Sequence, residues 1–575
     1  MNETRNHRRN QASVRYCDFH ARGCANQRAA FTLIEMLVAT ALTLMLVAAL
    51  AQAFSIVGTG VSTNRASLEM AGQLRAVSLR LQDDLSGLTI PTRPWPDPSA
   101  GLGYFEYLDG ADHDAIRFAW SVPNTSFGDA DDILMFTARN DRELFLGSRS
   151  NGTGGVTTIE SPLAEIVWFA TLTDVNGNGT LEPAEFEDYT LYRRTLLIRP
   201  DLGTVATFPN TGTYTITSQP DLQSLYNDLR LFFSQNDLSV RLVTQLSGMS
   251  GTDLQVFVVA NTLGDLTKRE NRFAHRRVVA LDSTNAPNLR YYGATFPFSI
   301  DRDFTSATSL PLIRQPFPNS PQFAEPGAIK TGDYQGEDVM LPHLLAFDIR
   351  AYDPLAIVAA HVGEDGGWGQ AGVDDDGNST VDDSSEAGWA RSDDEPMIPG
   401  DYGFGAMSTV GTNRIQVSSS PSNRYVNRVG SGAFVDLNYG GKVHGAGATA
   451  YTYNLLTNPS NSGWSHFSSG VATKSQLSEA TYDTWSFHYE YDGINQDGDT
   501  YDHDNNSTTP NIPLIDEGTN ALDTDGINGV DDLGERETSP PYLYPLRAIQ
   551  VRIRIVDHSS RQVRQATVES SFVPN

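Results

Sequence analysis

An apolar segment near the N-terminus constrains this chain more than any other feature. Between Phe31 and Val57 the only formally charged residue is Glu35. About 20 consecutive apolar residues, at a rise of about 1.5 Å each, are long enough to cross a bilayer as one helix. A carboxylate in such a segment is costly in lipid, so Glu35 is a candidate functional residue.

The residues before this segment are basic. Residues 1–30 contain six arginines against Glu3 and Asp18, which leaves a net charge of +4. A basic flank marks the cytoplasmic side of a membrane segment. We therefore expect a single membrane pass with the N-terminus in the cytoplasm.

The junction between leader and apolar segment carries a family resemblance. The order Arg28-Ala29-Ala30, then Phe31-Thr32-Leu33-Ile34-Glu35, resembles the class III signal of type IV pilins and type II secretion pseudopilins. The resemblance implies a single-pass protein of the bacterial inner membrane, with its C-terminal head in the periplasm, that can be extracted into a filament. It implies that a prepilin peptidase cuts between Ala30 and Phe31 and methylates the new amino terminus. It also implies that Glu35 pairs with the terminal amine of a neighbouring subunit during assembly. The family usually has glycine where this chain has Ala30.

Two other interpretations of the segment stay open. One is an uncleaved signal anchor. The other is an ordinary secretory signal, because Ala49-Leu50-Ala51 and Ala51-Gln52-Ala53 both fit the small-x-small cleavage pattern. Neither interpretation needs Glu35, which favours the pilin-type signal.

The rest of the chain predicts an α+β fold. Apolar residues at helical spacing extend the helix to about Gly87; they are Met70, Leu74, Val77, Leu81 and Leu85. Short alternating runs then predict strands; they lie at 115–122, 132–137, 166–170, 189–197, 253–259, 344–352, 485–491, 549–556 and 562–572. We expect a long N-terminal helix, half transmembrane and half amphipathic, packed on a mostly antiparallel β-rich head with long loop insertions. The helix, the hairpin with Tyr192-Arg193-Arg194 and the closing Val-Arg-Ile-Arg strand resemble the J-type minor pseudopilin.

Composition shifts divide the chain into five predicted regions. They are a cytoplasmic leader (1–30), the N-terminal helix (31–87), a β-rich pilin-like head (88–354), an acidic Gly/Ser/Asn/Asp-rich insertion (355–540) and a C-terminal hairpin that completes the head (541–575). The insertion has poor periodicity, so we expect loops there.

Charge and cysteine usage limit the partners. The net charge is −29, and it becomes −33 once the leader is removed. Such acidity argues against binding to the phosphates of nucleic acid. Both cysteines, Cys17 and Cys24, lie in the leader, so processing leaves no disulfide.

One acidic loop fits the EF-hand pattern at every diagnostic position. Its candidate ligands are Asp174, Asn176, Asn178, Thr180, Glu182 and Glu185. Hard oxygen donors in this number favour Ca²⁺ over zinc or copper. Because the flanks are predicted strands, the loop would close a β-hairpin and hold a structural calcium ion. The alternative is an acidic turn without metal.

Weaker acidic clusters follow in the insertion. The first contains Asp374, Asp376, Asn378 and Asp382, with Ser379 in place of the turn glycine and Glu386 one residue after the bidentate position. The second contains Asp523, Asp525, Asn528 and Asp531. Bunched carboxylates repel until a cation neutralises them, so folding of the insertion is expected to depend on Ca²⁺.

The sequence has none of the common catalytic motifs, such as His-Glu-x-x-His, Gly-x-Ser-x-Gly or a Walker A loop. We therefore expect no enzyme. The resemblance implies a structural subunit, a minor pseudopilin of a type II secretion pseudopilus or a type IV pilus. Its expected partners are other pilin or pseudopilin subunits, the prepilin peptidase, the inner membrane and a secreted substrate. The alternative is a secreted or anchored calcium-dependent binding protein that does not polymerise.

Overall fold

The fold was analysed in a computed structural model of the chain. The structure describes residues 32–109, 130, 132–150, 155–173, 188–205, 213–216, 219–247, 253–273, 280–281, 289–290, 338–361, 367–398, 428–437, 481–485, 487–491, 519, 521–523, 529–531, 542 and 544–573. The chain divides into two compact units, residues 1–65 and residues 66–575.

The described elements are two α-helices and 17 strands. The helices are α1 (Leu33–Ser86) and α2 (Gln219–Gln235). The strands are β1 (Phe105–Leu108), β2 (Ile133–Arg139), β3 (Phe145–Ser150), β4 (Val156–Ser161), β5 (Leu163–Thr173), β6 (Asp188–Leu197), β7 (Thr213–Ile216), β8 (Val240–Ser247), β9 (Asp253–Ala260), β10 (Ala280–Leu281), β11 (Leu289–Arg290), β12 (Val339–His361), β13 (Glu395–Met397), β14 (Arg428–Val435), β15 (Thr481–Asp483), β16 (Ala548–Asp557) and β17 (Gln562–Ser571).

The main sheet of the head is antiparallel throughout. Its strand order is β15-β1-β2-β5-β6-β12-β16-β17. Strands β13 and β14 pair with the C-terminal half of β12. Strand β12 is the central connection, because its first half lies between β6 and β16. A smaller sheet of β7, β9 and β8 accompanies helix α2. The protein is therefore α+β, as the sequence predicts.

Both faces of the central strands are buried. On β5, Ile166 and Trp168 join the core beside helix α1, whereas Val167 and Phe169 join the core beside helix α2. Successive side chains of a strand point to opposite faces, so a strand buried on both sides is apolar at nearly every position. This explains why β5 has a continuous apolar run.

The C-terminal half of α1 packs on the first of these cores. All five residues of the predicted stripe are less than 5% exposed, namely Met70, Leu74, Val77, Leu81 and Leu85. They belong to the same hydrophobic core as the alternating buried residues of β16, whose other face is partly exposed. The amphipathic prediction for this half of the helix is confirmed.

Most of the predicted strands are confirmed as well. The runs at 132–137, 166–170, 189–197, 253–259, 344–352, 549–556 and 562–572 correspond to β2, β5, β6, β9, part of β12, β16 and β17. The run at 115–122 lies outside the described residues.

The 355–540 stretch differs from the expected loops at four places within its described part. Strand β12 continues to His361, β13 and β14 pair with β12, and β15 pairs with β1. These segments are short and have no clear alternation, so their pairing comes from the existing sheet edges and not from their own pattern.

The predicted strand at 485–491 is wrong, because Phe487–Tyr491 form a 3₁₀ helix. The tight turn places Trp485 5.1 Å from the guanidinium of Arg269, buries His488, and stacks Phe487 on Trp95. Alternation of aromatic and polar residues cannot distinguish this turn from a strand, since it is only five residues long.

Strand β15 is held by a buried ionic cluster. Arg272 Nη1 lies 2.7 Å from Glu106 Oε2 on β1 and 2.8 Å from Asp483 Oδ2 on β15. Arg269 contacts the same two carboxylates. Burial raises the pKa of Asp483, and the two arginines oppose that shift. The cluster thus joins a strand of the acidic insertion to the head.

Candidate assembly site and candidate metal centre

The carboxylate of Glu35 closes the first turn of helix α1. Its Oε2 accepts hydrogen bonds from the Thr32 main-chain N–H and hydroxyl, both at 2.9 Å. In return the Glu35 N–H donates to Thr32 Oγ1 at 3.3 Å. This is a reciprocal capping box, which satisfies main-chain donors that a helix start leaves unpaired. Ala30 and Phe31, the predicted processing residues, lie outside the described residues.

Sequence analysis missed this cap, although its signal is present. Thr32-Leu33-Ile34-Glu35 is a threonine followed three residues later by glutamate, just before an apolar run. That spacing is the signature of a capping box. Both bonds from Thr32 end on Oε2 of Glu35.

The apolar N-terminal part of α1, beyond Glu35, exposes its side chains on all sides. Its most apolar 18-residue window has a mean hydropathy of 2.3 and no buried residue in the structure. The hydroxyls of Thr40 and Thr43 donate to main-chain oxygens of their own helix, which removes them as free polar groups. By length and composition α1 is able to cross a membrane.

One comparison with known proteins gives a match, and it covers the segment that contains Glu35. Residues 25–51 match the family model described as the prokaryotic N-terminal methylation motif. The match supports a subunit of the pilin-like or pseudopilin class. It spans the leader junction, Glu35 and the exposed apolar turns. No curated protein and no solved structure gives a significant match to the chain.

Proteins with this N-terminal motif are structural subunits. As a class they interact with other pilins and with the prepilin peptidase. An apolar N-terminal helix with such a motif fits a single-pass anchor in the inner membrane.

A second site lies in the loop of residues 367–398. One carboxylate oxygen from each of Asp374, Asp376 and Glu386 lies within 4.8 Å of the other two. Glu386 is fully buried, and its Oε1 accepts from the Asp375 N–H at 2.5 Å. Three carboxylates this close repel one another unless a cation or a proton offsets their charge.

The main chain folds tightly around these carboxylates. Asp374 accepts from the N–H groups of Asn378 and Ser379 at 2.9 and 2.8 Å, and Asp376 Oδ1 accepts from the Asn378 N–H at 2.9 Å. A carboxylate has about four acceptor positions, so each retains capacity for a cation. The oxygen-only donor set fits Ca²⁺ or Mg²⁺ better than a softer metal.

Ser379 occupies the turn position where an EF-hand loop has glycine. Its φ is +71°, in the left-handed region. The backbone therefore makes the sharp turn of such a loop even though the residue is not glycine. Gly377, two residues earlier, also has a positive φ.

The ligand set differs in detail from the sequence prediction. Glu386 lies beside Asp374 and Asp376, whereas Asp382 is outside this group and accepts from the Gly372 N–H at 2.8 Å. Asn378 uses its Oδ1 to accept from the Thr380 N–H. A 3₁₀ turn at Ser384–Glu386 brings Glu386 inward. This accounts for a glutamate one residue beyond the usual bidentate position.

The other predicted ligands are only partly visible. Asp174, Asn176, Asn178, Thr180, Glu182 and Glu185 all lie outside the described residues, as do Asp525 and Asn528. Asp523 is exposed, and Asp531 Oδ1 accepts from the Ala521 N–H at 3.0 Å. Calcium at these positions stays a prediction.

Proposed function

We propose that this chain is a minor pseudopilin, most similar to the J type, and that it assembles with other pilin-like subunits into a type II secretion pseudopilus or a type IV pilus. The observation that carries the proposal is the placement of Glu35. It is the only charge between Phe31 and Val57, in the exposed apolar part of α1, and it is the fifth residue after the expected cleavage point in the matched motif.

The proposed mechanism is assembly. Cleavage before Phe31 creates a free amine at the edge of the apolar segment. The Glu35 carboxylate of one subunit then pairs with the amine of its neighbour. In a bilayer an unpaired charge is expensive, so this pairing favours subunits in one register. The apolar helices bundle, and the β-rich heads project into the periplasm.

The capping box provides a sharp test, because it gives Glu35 a second, purely local role. Glu35→Gln keeps an oxygen that can accept from Thr32, since glutamine serves in capping boxes as glutamate does. It removes the charge that the amine would need. Glu35→Ala removes both. The control is Glu69→Gln, the same change on an exposed glutamate of the same helix.

The readouts are the mass of the N-terminal peptide from the membrane fraction and the amount of chain in sheared filaments. We expect N-methylated Phe31, and loss of assembly in both Glu35 variants but not in the control. If Glu35→Gln assembles like the wild type, the carboxylate only caps the helix and the proposed mechanism fails. A terminus at Gln52 or Phe54 would indicate secretory cleavage.

We also propose that calcium orders the acidic loops of the head. The support is the group of Asp374, Asp376 and the buried Glu386. Glu386→Gln should weaken Ca²⁺ binding at this loop at least tenfold, and Asp382→Asn should change it little. Terbium luminescence excited through tryptophan measures binding, and the part of the signal lost in Trp389→Phe reports on this loop, because the Trp389 main-chain N–H donates to the Glu386 carbonyl. Equal effects of the two variants would contradict the assignment.

The same group favours a second candidate function, a calcium-dependent binding protein that does not polymerise. It predicts calcium binding with a secretory N-terminus and no assembly defect in Glu35→Ala. The two readouts described above therefore separate the two functions.

A further inference from the structure

Strand β17 forms one end of the main sheet. It pairs with β16 over ten consecutive residues, without a register shift, and it is last in the strand order. No other described strand lies along its outer side. In an antiparallel sheet alternate residues direct their main-chain groups to opposite sides, so about five residues of β17 present N–H and C=O groups outward.

This edge lacks most of the features that protect edge strands against pairing. Proteins commonly shorten, bulge or twist an edge strand, or place lysine or proline on it. Strand β17 has ten residues with the sequence QVRQATVESS, which contains neither lysine nor proline, and it extends about 33 Å. Its inward charge, Arg564, lies opposite Ile555 and bonds to Ser67 of α1. The edge is regular enough to accept another strand.

The hairpin that carries this edge is basic, in contrast to the rest of the chain. Residues 541–575 contain five arginines and two acidic residues, a net +3, so the remainder of the chain carries −32. Arg561 and Arg564 are exposed, and Arg552 and Arg554 are partly exposed. The largely exposed loop of residues 367–398 has nine acidic residues and one arginine. A second copy of the chain therefore offers the charge that this hairpin attracts.

We propose that the free edge of β17 is an interface with a second copy of this chain, which adds an extended segment to the edge and sets its acidic surface against the hairpin arginines. The inference rests on the proposed function as a filament subunit. A contact between two unlike surfaces, one basic and one acidic, is heterologous, which is the type of contact that can join neighbouring subunits in an open filament. It would stabilise the heads in addition to the bundled helices.

Site-specific photo-crosslinking in membranes from cells that produce the full chain tests the interface. Two differently tagged copies are expressed together, and a benzophenone amino acid replaces one residue. Thr567 on β17 is the test position. Thr158, another exposed threonine, on β4, is the matched control. Leu46, exposed in the apolar helix, reports assembly through the helices.

Charge variants test the electrostatic part. Arg561→Glu should reduce the Thr567 crosslink between copies about threefold at low ionic strength, the size expected when an exposed charge pair becomes repulsive. Arg142→Glu makes the same change of net charge at an exposed site on the β2–β3 loop and should have no effect. Thr567→Lys, which protects an edge, should reduce copurification of the two tags about threefold.

The outcomes separate this inference from the proposed function. Crosslinks between copies at Thr567 and Leu46, absent at Thr158 and reduced by Arg561→Glu alone, support it. Crosslinks at Leu46 without any at Thr567 overturn it and leave the filament function standing. Crosslinks from Thr567 only to a different protein also overturn it. If Leu46 crosslinks neither to a second copy nor to another pilin-like subunit, the proposed function fails, and this inference fails with it.

Discussion

Arg193 donates two parallel hydrogen bonds to the carboxylate of Asp84, from Nε to Oδ2 at 2.6 Å and from Nη2 to Oδ1 at 2.7 Å. The indole N–H of Trp168 donates to the same Oδ2 at 3.0 Å. Asp84 lies in the last turn of α1, and Arg193 and Trp168 lie on paired positions of β6 and β5. The three residues join the amphipathic half of the helix to the hairpin of the head.

Asp84→Asn should destabilise the head strongly. The Asp84 side chain is fully buried and that of Arg193 is 10% exposed, so the variant leaves a nearly buried guanidinium without its counter-charge. Breaking such a pair from one side costs about 3 kcal/mol. Asp83→Asn, on the neighbouring exposed aspartate, should change the free energy of unfolding by less than about 0.5 kcal/mol. Urea denaturation of the full chain in detergent, followed by tryptophan fluorescence, measures both, and equal midpoints would show that the pair does not stabilise the head.

Ser379→Gly should strengthen metal binding at the 374–386 loop. Ser379 has a φ of +71°, a conformation that costs a residue with a side chain about 1 kcal/mol relative to glycine. Removing that cost corresponds to about fivefold tighter binding if the turn forms only in the bound loop.

Thr380→Gly is the matched control for this substitution. Thr380 is not among the residues with positive φ, so glycine there only adds freedom to the unbound loop and should weaken binding. Calcium competition against terbium at Trp389 measures both variants. If both glycines tighten binding, the effect is general flexibility and the turn assignment is wrong.

The local elements of this fold could be predicted from the sequence because each has its own period. The stripe from Met70 to Leu85 follows helical spacing, and β16 alternates strictly, with Ile549, Val551, Ile553 and Ile555 buried. Such patterns follow directly from which face of an element is buried. The capping box at Thr32 and Glu35 could also be predicted, because the Thr-x-x-Glu spacing is visible in the sequence.

Contacts between distant residues could not be predicted. Asp84 bonds to Arg193, 109 residues away, and Asp483 to Arg272, 211 residues away. Asp84 lies three residues after Leu81 and seven after Val77, so helical spacing does put it on the buried face. Its partner, however, depends on the strand order. The identity of the third metal carboxylate depends likewise on the local turn that brings Glu386 inward.

His488 should make the stability of the head sensitive to mild acid. It is 7% exposed. Burial holds its pKa well below the usual 6.5, and the nearby positive charges of Lys268 and Arg272 lower that pKa further. The folded head therefore keeps the imidazole neutral, while the unfolded chain protonates it as the pH falls below about 6.5. Protons then bind preferentially to the unfolded state, so stability falls with decreasing pH, by at most about 1.4 kcal/mol per pH unit from this group.

The variant that tests this is His488→Gln, which has no titrating ring. It should remove this part of the slope between pH 7 and pH 5, although the loss of buried packing lowers stability at every pH. His343→Gln, at an exposed histidine on β12, is the matched substitution at a second histidine. The measurement is the urea midpoint of the wild type and the two variants across this pH range. If His488→Gln keeps the wild-type dependence of stability on pH, the acid sensitivity belongs to another group. The change in slope, rather than the change in midpoint at one pH, distinguishes titration of His488 from its contribution to packing.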